Sequence, residues 1–234
     1  MCEIITGDFF GADRIDYLLR DSKSSGVSYG LFDYHQLIET VHVLSSDGSP
    51  EGEMQLGIEE NGIESCEALL LSRHFMHRRV YQYATVKSYN FHLSRFMEKT
   101  VKISDLNHYL ALTDNDIIIE LFKAAKDAKL PGHFDAQSIL ERKHRFKALA
   151  VPPEVSLEDL EKYQKEHQIP KEKISWDFVS KGVSKIGFNF PVLLRNQKIV
   201  NGSEVSTLSI PTGSSTWVYI DPKYEDSFLQ YVER

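Results

Sequence analysis

The sequence predicts a mainly α-helical protein that ends in a small α+β region. Three observations predict it. Apolar residues recur at helical spacing through most of residues 1–150. Helix start signals punctuate that stretch, Thr113-x-x-Asp116 the clearest of them. Beyond Val151-Pro-Pro-Glu154 the texture turns to short β-branched and aromatic runs separated by turn residues, so residues 151–234 read as a separate α+β region.

Taken in order, a first helix carries Gly11-Ala-Asp-Arg-Ile-Asp-Tyr-Leu-Leu-Arg-Asp21 and stops near Ser24-Ser25-Gly26. A short helix is expected from Phe32 to Thr40. Val41–Leu44 and Met54–Ile58 then form a hairpin across the polar loop Asp47–Gly52. After Asn61-Gly62 one long helix is expected from Ile63 to Lys99, with Leu69, Met76, Val80 and Tyr83 as its apolar stripe. Ser104 opens a further helix and Thr113 another. Asp135 is expected to cap the helix carrying Arg142-Lys-His-Arg-Phe-Lys147. In the last third, Ser156-Leu-Glu-Asp159 caps a charged helix. Strands are expected at Trp176–Val179, Pro191–Leu194, Val205–Ile210 and Thr216–Ile220, with turns at Asn201-Gly202 and Thr212-Gly213. Asp221-Pro222 caps a closing helix.

Composition narrows the function classes. A formal charge of −7 disfavours duplex DNA, which demands a basic footprint. The two cysteines, Cys2 and Cys66, form no zinc-type pair, and a reducing, cytoplasmic setting is expected. No apolar run approaches the roughly 18 residues that span a bilayer. Gly-rich phosphate loops, nucleophile elbows and paired histidine ligands are absent from the sequence.

Two constellations carry chemistry. On the first helix, Asp13, Tyr17, Arg20 and Asp21 share a face while Ile15, Leu18 and Leu19 share another. That polar face either meets a small anion or is a solvated face with a local Arg20–Asp21 pair. Further on, Arg73, His77 and Tyr81 repeat at i, i+4, i+8. A guanidinium, an imidazole and a phenol on one ridge suit a phosphate-bearing ligand; the alternative is a charged surface with a half-buried tyrosine. His35, His42 and His74 are expected in structural or surface roles. The basic run Arg142, Lys143, Arg145 and Lys147 is a solvated face or an anion site.

Ala12-Asp-Arg-Ile-Asp-Tyr-Leu-Leu-Arg-Asp-Ser22 with Gly26-Val27 closely resembles the segment holding the last metal-ligand aspartate of HD-domain phosphohydrolases, deoxynucleoside triphosphate triphosphohydrolases in particular. Met76-His-Arg-Arg-Val-Tyr-Gln82 is similar to the family's pocket helix, and Leu112-Thr-Asp-Asn115 and Phe146-Lys147 to later segments. The resemblance spans residues 4–150 and implies an HD-like helical region. It implies Asp13 as a metal ligand, Arg14 and Tyr17 at substrate phosphates and Asp21 near the sugar. Arg73, His77, Tyr81 and Gln82 would line the pocket, and Lys143 and Lys147 an effector-nucleotide site. Lys23 stands where the family has a histidine.

The family binds a divalent metal with a His, a His-Asp pair and the distant Asp, and no His-Asp pair occurs in this chain. The chain is therefore expected to be the C-terminal part of such an enzyme, inactive alone and unable to hold the metal by itself. A homo-oligomer binding a dNTP as substrate or effector is the expected assembly. The rival is a non-catalytic nucleotide-binding, regulatory or oligomerisation module.

Overall fold

The computed structural model describes residues 2–7, 9–45, 49, 52–152, 154–179, 188–209 and 215–233. It is mainly helical with small sheets, as the sequence predicts. The chain opens with α1 (Cys2–Thr6) and α2 (Ala12–Ser25), which ends on Gly26 in the left-handed conformation at φ 68°. The Val27 N–H then returns to the Ser22 carbonyl at 3.1 Å, the closure that a glycine at this position permits. The Asp33 side chain caps α3 (Tyr34–Thr40) by accepting from the Gln36 N–H, and β1 (Val41–Ser45) and β2 (Met54–Glu59) form the expected antiparallel hairpin. Residues 47, 48, 50 and 51 of its loop lie outside the described residues.

The long helix expected from Ile63 to Lys99 is two helices. Here α4 (Ile63–Met76) passes into a π turn, His77–Tyr81, where the Gln82 N–H donates to the His77 carbonyl at 2.8 Å, five residues back. Tyr83 is extended, and α5 (Ala84–Thr100) starts afresh. The apolar stripe continues through the break because its two halves serve different cores: Leu69, Leu70 and Met76 one, Phe96 another.

Next come α6 (Leu106–Ala111), capped by Asp105, and α7 (Asp114–Lys126), opened by the expected Thr113–Asp116 capping box. Asp135 does not cap a helix bearing residues 142–147. It lies inside α8 (His133–Leu140), buried, and Arg142 to Phe146 are not helical. Lys147 begins β3 (Lys147–Val151). Ser156 and Asp159 box the start of α9 (Leu157–Glu166), and β4 (Ile174–Val179), β5 (Pro191–Leu193) and β6 (Ile199–Asn201) follow. Val205–Ile210 is not a strand. Asn201 and Glu204 form a capping box that starts α10 (Gly202–Val205), and residues 206–209 are irregular. Ile210 and the Thr212-Gly213 turn lie outside the described residues. β7 (Ser215–Ile220) and α11 (Glu225–Val232) close the chain, with Asp221 capping the short turn between them.

Contacts divide the chain into two discontinuous units, residues 1–82 with 180–214 and residues 83–179 with 215–234, rather than at residue 150. In the first unit the sheet order is β1-β2-β5-β6, with β5 parallel to β2 (Ile58↔Val192) and the other pairs antiparallel. Leu18 of α2, Leu37 of α3 and Leu69, Leu70 and Met76 of α4 pack on Ile58, Phe190 and Val192. Gly30 is buried against α2, where a Cβ would run into the Leu18 carbonyl; its N–H donates to the Ser22 hydroxyl at 3.2 Å. That contact fixes the exit of the chain from α2.

The second unit is built on β3-β7-β4, all antiparallel. Period-2 alternation along β7 gives its two faces to two cores. Val218 and Ile220 join Leu160, Tyr163 and Phe228, whereas Trp217 and Tyr219 join Phe146. Phe91 of α5 stacks flat on Tyr219 at 4.1 Å. A polar knot ties α5 to α8. Asp135 accepts from Lys99 Nζ at 2.6 Å, pairs with His92 Nδ1 at 3.0 Å and has Arg95 Nε at 3.6 Å. Burial alone would raise the Asp135 pKa, but these hydrogen bonds and charges outweigh it and hold the carboxyl below its ordinary value. Among the described residues no helix is long and apolar enough to cross a membrane.

Candidate functional site

Two segments of the first unit bring the sequence-predicted residues together. One is α2, whose apolar face holds Leu18 in the core. The other is the end of α4 with its π turn. A π turn is an irregularity that recurs at functional sites, because the widened turn redirects side chains that a regular helix would carry past. Here it keeps His77 and Tyr81 in ring contact, centroids 5.2 Å apart and nearly perpendicular.

The ridge of α2 that meets this turn is Arg14, Tyr17 and Asp21, spaced i, i+3, i+7. Tyr17 packs edge-on against Tyr81 at 6.2 Å, and the Tyr81 hydroxyl donates to Asp21 Oδ2 at 2.9 Å. The Tyr81 phenol is raised well above its ordinary value, chiefly by burial and then by the bond to Asp21 and its charge. It therefore remains a protonated donor through the neutral range. Arg20, grouped with this face in the sequence, is exposed and paired with Asp16 at 3.0 Å and Asp21 at 3.6 Å.

At the other end of the ridge the charge is positive. Burial is the largest cause lowering the His77 pKa, and the charges of Arg73, Arg14 and His74 lower it further. The imidazole is thus held neutral beside two guanidinium groups, an environment that an anion would relieve. His74 is expected from sequence in a structural or surface role; its influence on His77 places it next to the cluster. The signal available in sequence was its position three residues ahead of His77 on the same helix. Its own pKa is lowered by burial and by Arg78.

The remaining candidates are placed differently. Asp13 is exposed in the first turn of α2 and accepts from the Arg14 N–H at 2.7 Å. Among the described residues no group of three or more His, Cys, Asp or Glu is positioned to hold a metal ion. Gln82 contributes its backbone N–H to the π turn. Lys143 and Lys147 belong to the second unit, where each is exposed and pairs with its own carboxylate, Glu141 at 3.2 Å and Glu225 at 3.5 Å. They form no common basic cluster with each other through these contacts. Cys66 is buried, its thiol raised far above the ordinary value mainly by that burial, which removes it from nucleophilic chemistry.

Residues 32–175 match the family described as HD associated region. Among curated proteins the chain is similar to an uncharacterized protein of Methanocaldococcus jannaschii, 30% identical over 161 residues and covering 69% of this chain and 33% of that one. It is also similar to the uncharacterized protein YwfO of Bacillus subtilis, 31% identical over 133 residues, covering 53% of this chain and 29% of the relative. The chain thus spans about a third of the length of these relatives. Among solved structures, a hypothetical protein from Aquifex aeolicus aligns with a TM-score of 0.77 and 34% identity, over 98% of this chain and 58% of its own. A phosphohydrolase from Bacteroides thetaiotaomicron shares the fold with a TM-score of 0.67 at 19% identity, over 94% of this chain and 62% of its own.

Proposed function

The chain belongs to the HD associated region family, and on that premise we propose that its first unit supplies the phosphate-holding face of an HD-type phosphohydrolase acting on nucleoside triphosphates, deoxynucleoside triphosphates foremost. One observation carries this reading. The α2 ridge Arg14–Tyr17–Asp21 meets the π turn, setting a hydroxyl–carboxylate bond at one end and a neutral imidazole among arginines at the other.

Each group has a role that follows from its chemistry. Arg14 and Arg73 offer planar donor forks that match phosphate oxygens. His77, held neutral, carries one ring donor and one acceptor, so it gives a hydrogen bond to a phosphate oxygen and takes up a proton as the anion accumulates charge around it. Tyr17 and Tyr81 wall the site with aromatic surface, and Asp21, fixed by Tyr81, has a second oxygen to accept from a sugar hydroxyl. Holding and orienting the phosphates is electrostatic work that needs no covalent chemistry from these side chains.

A divalent metal is what the family resemblance implies for bond cleavage. Among the described residues the exposed Asp13 carboxylate belongs to no group of three or more His, Cys, Asp or Glu, and a divalent ion takes three or more convergent ligands. The described residues do not fit a complete metal centre. The chain on its own is therefore expected to bind the nucleotide without cleaving it.

Calorimetric titration of the chain with dATP, and separately with inorganic triphosphate, tests the reading. Saturable binding that weakens at least about tenfold in Arg73→Ala is expected, the loss of one charged contact to phosphate. Flat titrations with both ligands overturn the phosphate-binding role and leave the assembly-module alternative. Metal-dependent hydrolysis by the purified chain, abolished by Asp13→Asn, overturns the assignment of a binding role alone.

A further inference from the structure

Helix α7 of the second unit is apolar on two sides. Ile117, Leu121 and Ala124 face inward onto Phe96 and Ala136. Ile118, Ile119 and Phe122 face outward and are 45–50% exposed. An amphipathic helix at a protein surface carries polar residues on its outer face; one that is apolar all round belongs in an interior. The outer apolar face of α7 therefore lacks its cover in the isolated chain. Ile119 also lines a groove of about 630 Å³, together with Thr100, Val101, His108 and Leu112.

The ends of the same face are charged, and oppositely. Asp114, Ile118, Phe122 and Lys126 follow one another at intervals of four, forming a single ridge along the helix. Asp114 and Lys126 make no ion pair among the described residues. The other charges of α7 are already engaged: Asp116 in the capping box with Thr113, and Glu120 with Lys123 at 2.7 Å. The ridge is symmetric about the level of Glu120.

We propose that this face is a two-fold self-association surface that docks onto α7 of a second copy of the chain, the two helices crossing in antiparallel sense. A two-fold axis at the level of Glu120 sets Asp114 of each copy against Lys126 of the other. It sets Ile118 of each against Phe122 of the other. The arrangement is isologous, each contact occurring twice, which is the requirement of a closed dimer. A parallel arrangement would instead oppose like charges at both ends. Because the ridge is inclined to the helix axis, the helices cross rather than run alongside. Apolar surface continues onto α6, where Leu106, Tyr109 and Leu110 are 57–70% exposed and whose neighbours His108 and Ala111 border the same groove as Ile119; a standard interface takes roughly 800 Å² from each partner. The surface belongs to the second unit and is independent of the phosphate-binding reading.

The test is the mass of the chain in solution, by light scattering and sedimentation equilibrium across a range of concentrations. Wild type is expected to dimerise, and Phe122→Asp, D114K and K126D each to raise the dimer dissociation constant at least about tenfold. All are exposed positions, and unchanged circular dichroism checks that the variants fold. The geometry makes two sharper demands. The double variant D114K/K126D re-forms both ion pairs and regains dimerisation. An equimolar mixture of the two single variants forms a mixed dimer, because each then carries the charges that the other lacks. A wild-type chain that stays monomeric at every concentration overturns the proposal, as does a dimer indifferent to Phe122→Asp. Failure of both the double variant and the mixture to restore the dimer overturns the antiparallel two-fold.

Discussion

Replacing Tyr81 by phenylalanine removes one oxygen atom and, with it, the hydrogen bond that fastens the π turn to α2. The donor lies 2.9 Å from Asp21 Oδ2 in a partly buried setting. A hydrogen bond to a charged group is worth about 1.5–3 kcal/mol net when well shielded from water. Two facts reduce that here: the Asp21 side chain is 32% exposed, and it keeps Arg20 as a neighbour at 3.6 Å. A loss of about 1–2 kcal/mol is therefore expected, since the carboxylate freed by the substitution is rehydrated rather than stranded. Far-UV circular dichroism in urea is the suitable probe, because both tryptophans, Trp176 and Trp217, lie in the second unit and would miss the event. A double-mutant cycle with Asp21→Ala isolates the bond, with a coupling of about 1 kcal/mol expected. Coupling indistinguishable from zero would refute the reasoning: the hydroxyl–carboxylate bond would then contribute nothing to holding the two ridges together.

The His77 imidazole, its pKa below the ordinary 6.5, makes folding less favourable in acid. The sign follows from proton linkage: below pH 6.5 the unfolded chain takes up a proton that the folded one refuses, so stability falls as pH drops from 6.5 towards the folded value. His77→Gln should flatten that slope by up to about 1.4 kcal/mol per pH unit, with His74 and His144, also lowered, retaining the remainder. An unaltered slope between about pH 5 and 6.5, the window where a histidine titrates, would show His77 to be solvated. Asp135→Ala in the second unit removes the one carboxylate common to His92, Lys99 and Arg95 and should cost about 3 kcal/mol, read as a lower urea midpoint. A change under about 0.5 kcal/mol would mean that the knot contributes little.

Much of this was legible residue by residue. Gly26 announced the end of α2, and Thr113 and Ser156 announced two helix starts, because capping is local chemistry written within four positions of chain. Arg73, His77 and Tyr81 were grouped by spacing on one regular helix; in the structure that helix ends at Met76, and Tyr81 meets the His77 ring across the π turn while the Arg73 charge acts on His77. The break at Gln82-Tyr83 was not legible, since the apolar stripe runs on through it and only the identity of the core on each side differs. Asp135 looked like a cap because an acid near a helix start usually is one. Its true role depends on His92, Lys99 and Arg95, some forty residues earlier in sequence (His92 is 43 residues away). Val205–Ile210 has the composition of a strand, yet the Asn201–Glu204 box starts a helix ahead of it. On α2 helical spacing grouped Asp13 and Arg20 with Tyr17 and Asp21, while only the family resemblance pointed to Arg14; the ridge that meets the π turn is Arg14, Tyr17 and Asp21, a selection made by tertiary packing that spacing does not carry.

The pairing of β2 with β5 joins Ile58 to Val192. During synthesis the ribosome must deliver residues 83–179, the larger segment of the second unit, before that partner emerges, a delay on the order of ten seconds at usual elongation rates. Until then the outer margin of β2 is a naked row of amide and carbonyl groups, open to any extended segment that passes. The interrupting segment cannot finish its own sheet in that interval, because β7, the strand between β3 and β4, emerges later still, so the hairpin of the opening segment waits on a partner while much of the chain behind it is also unpaired.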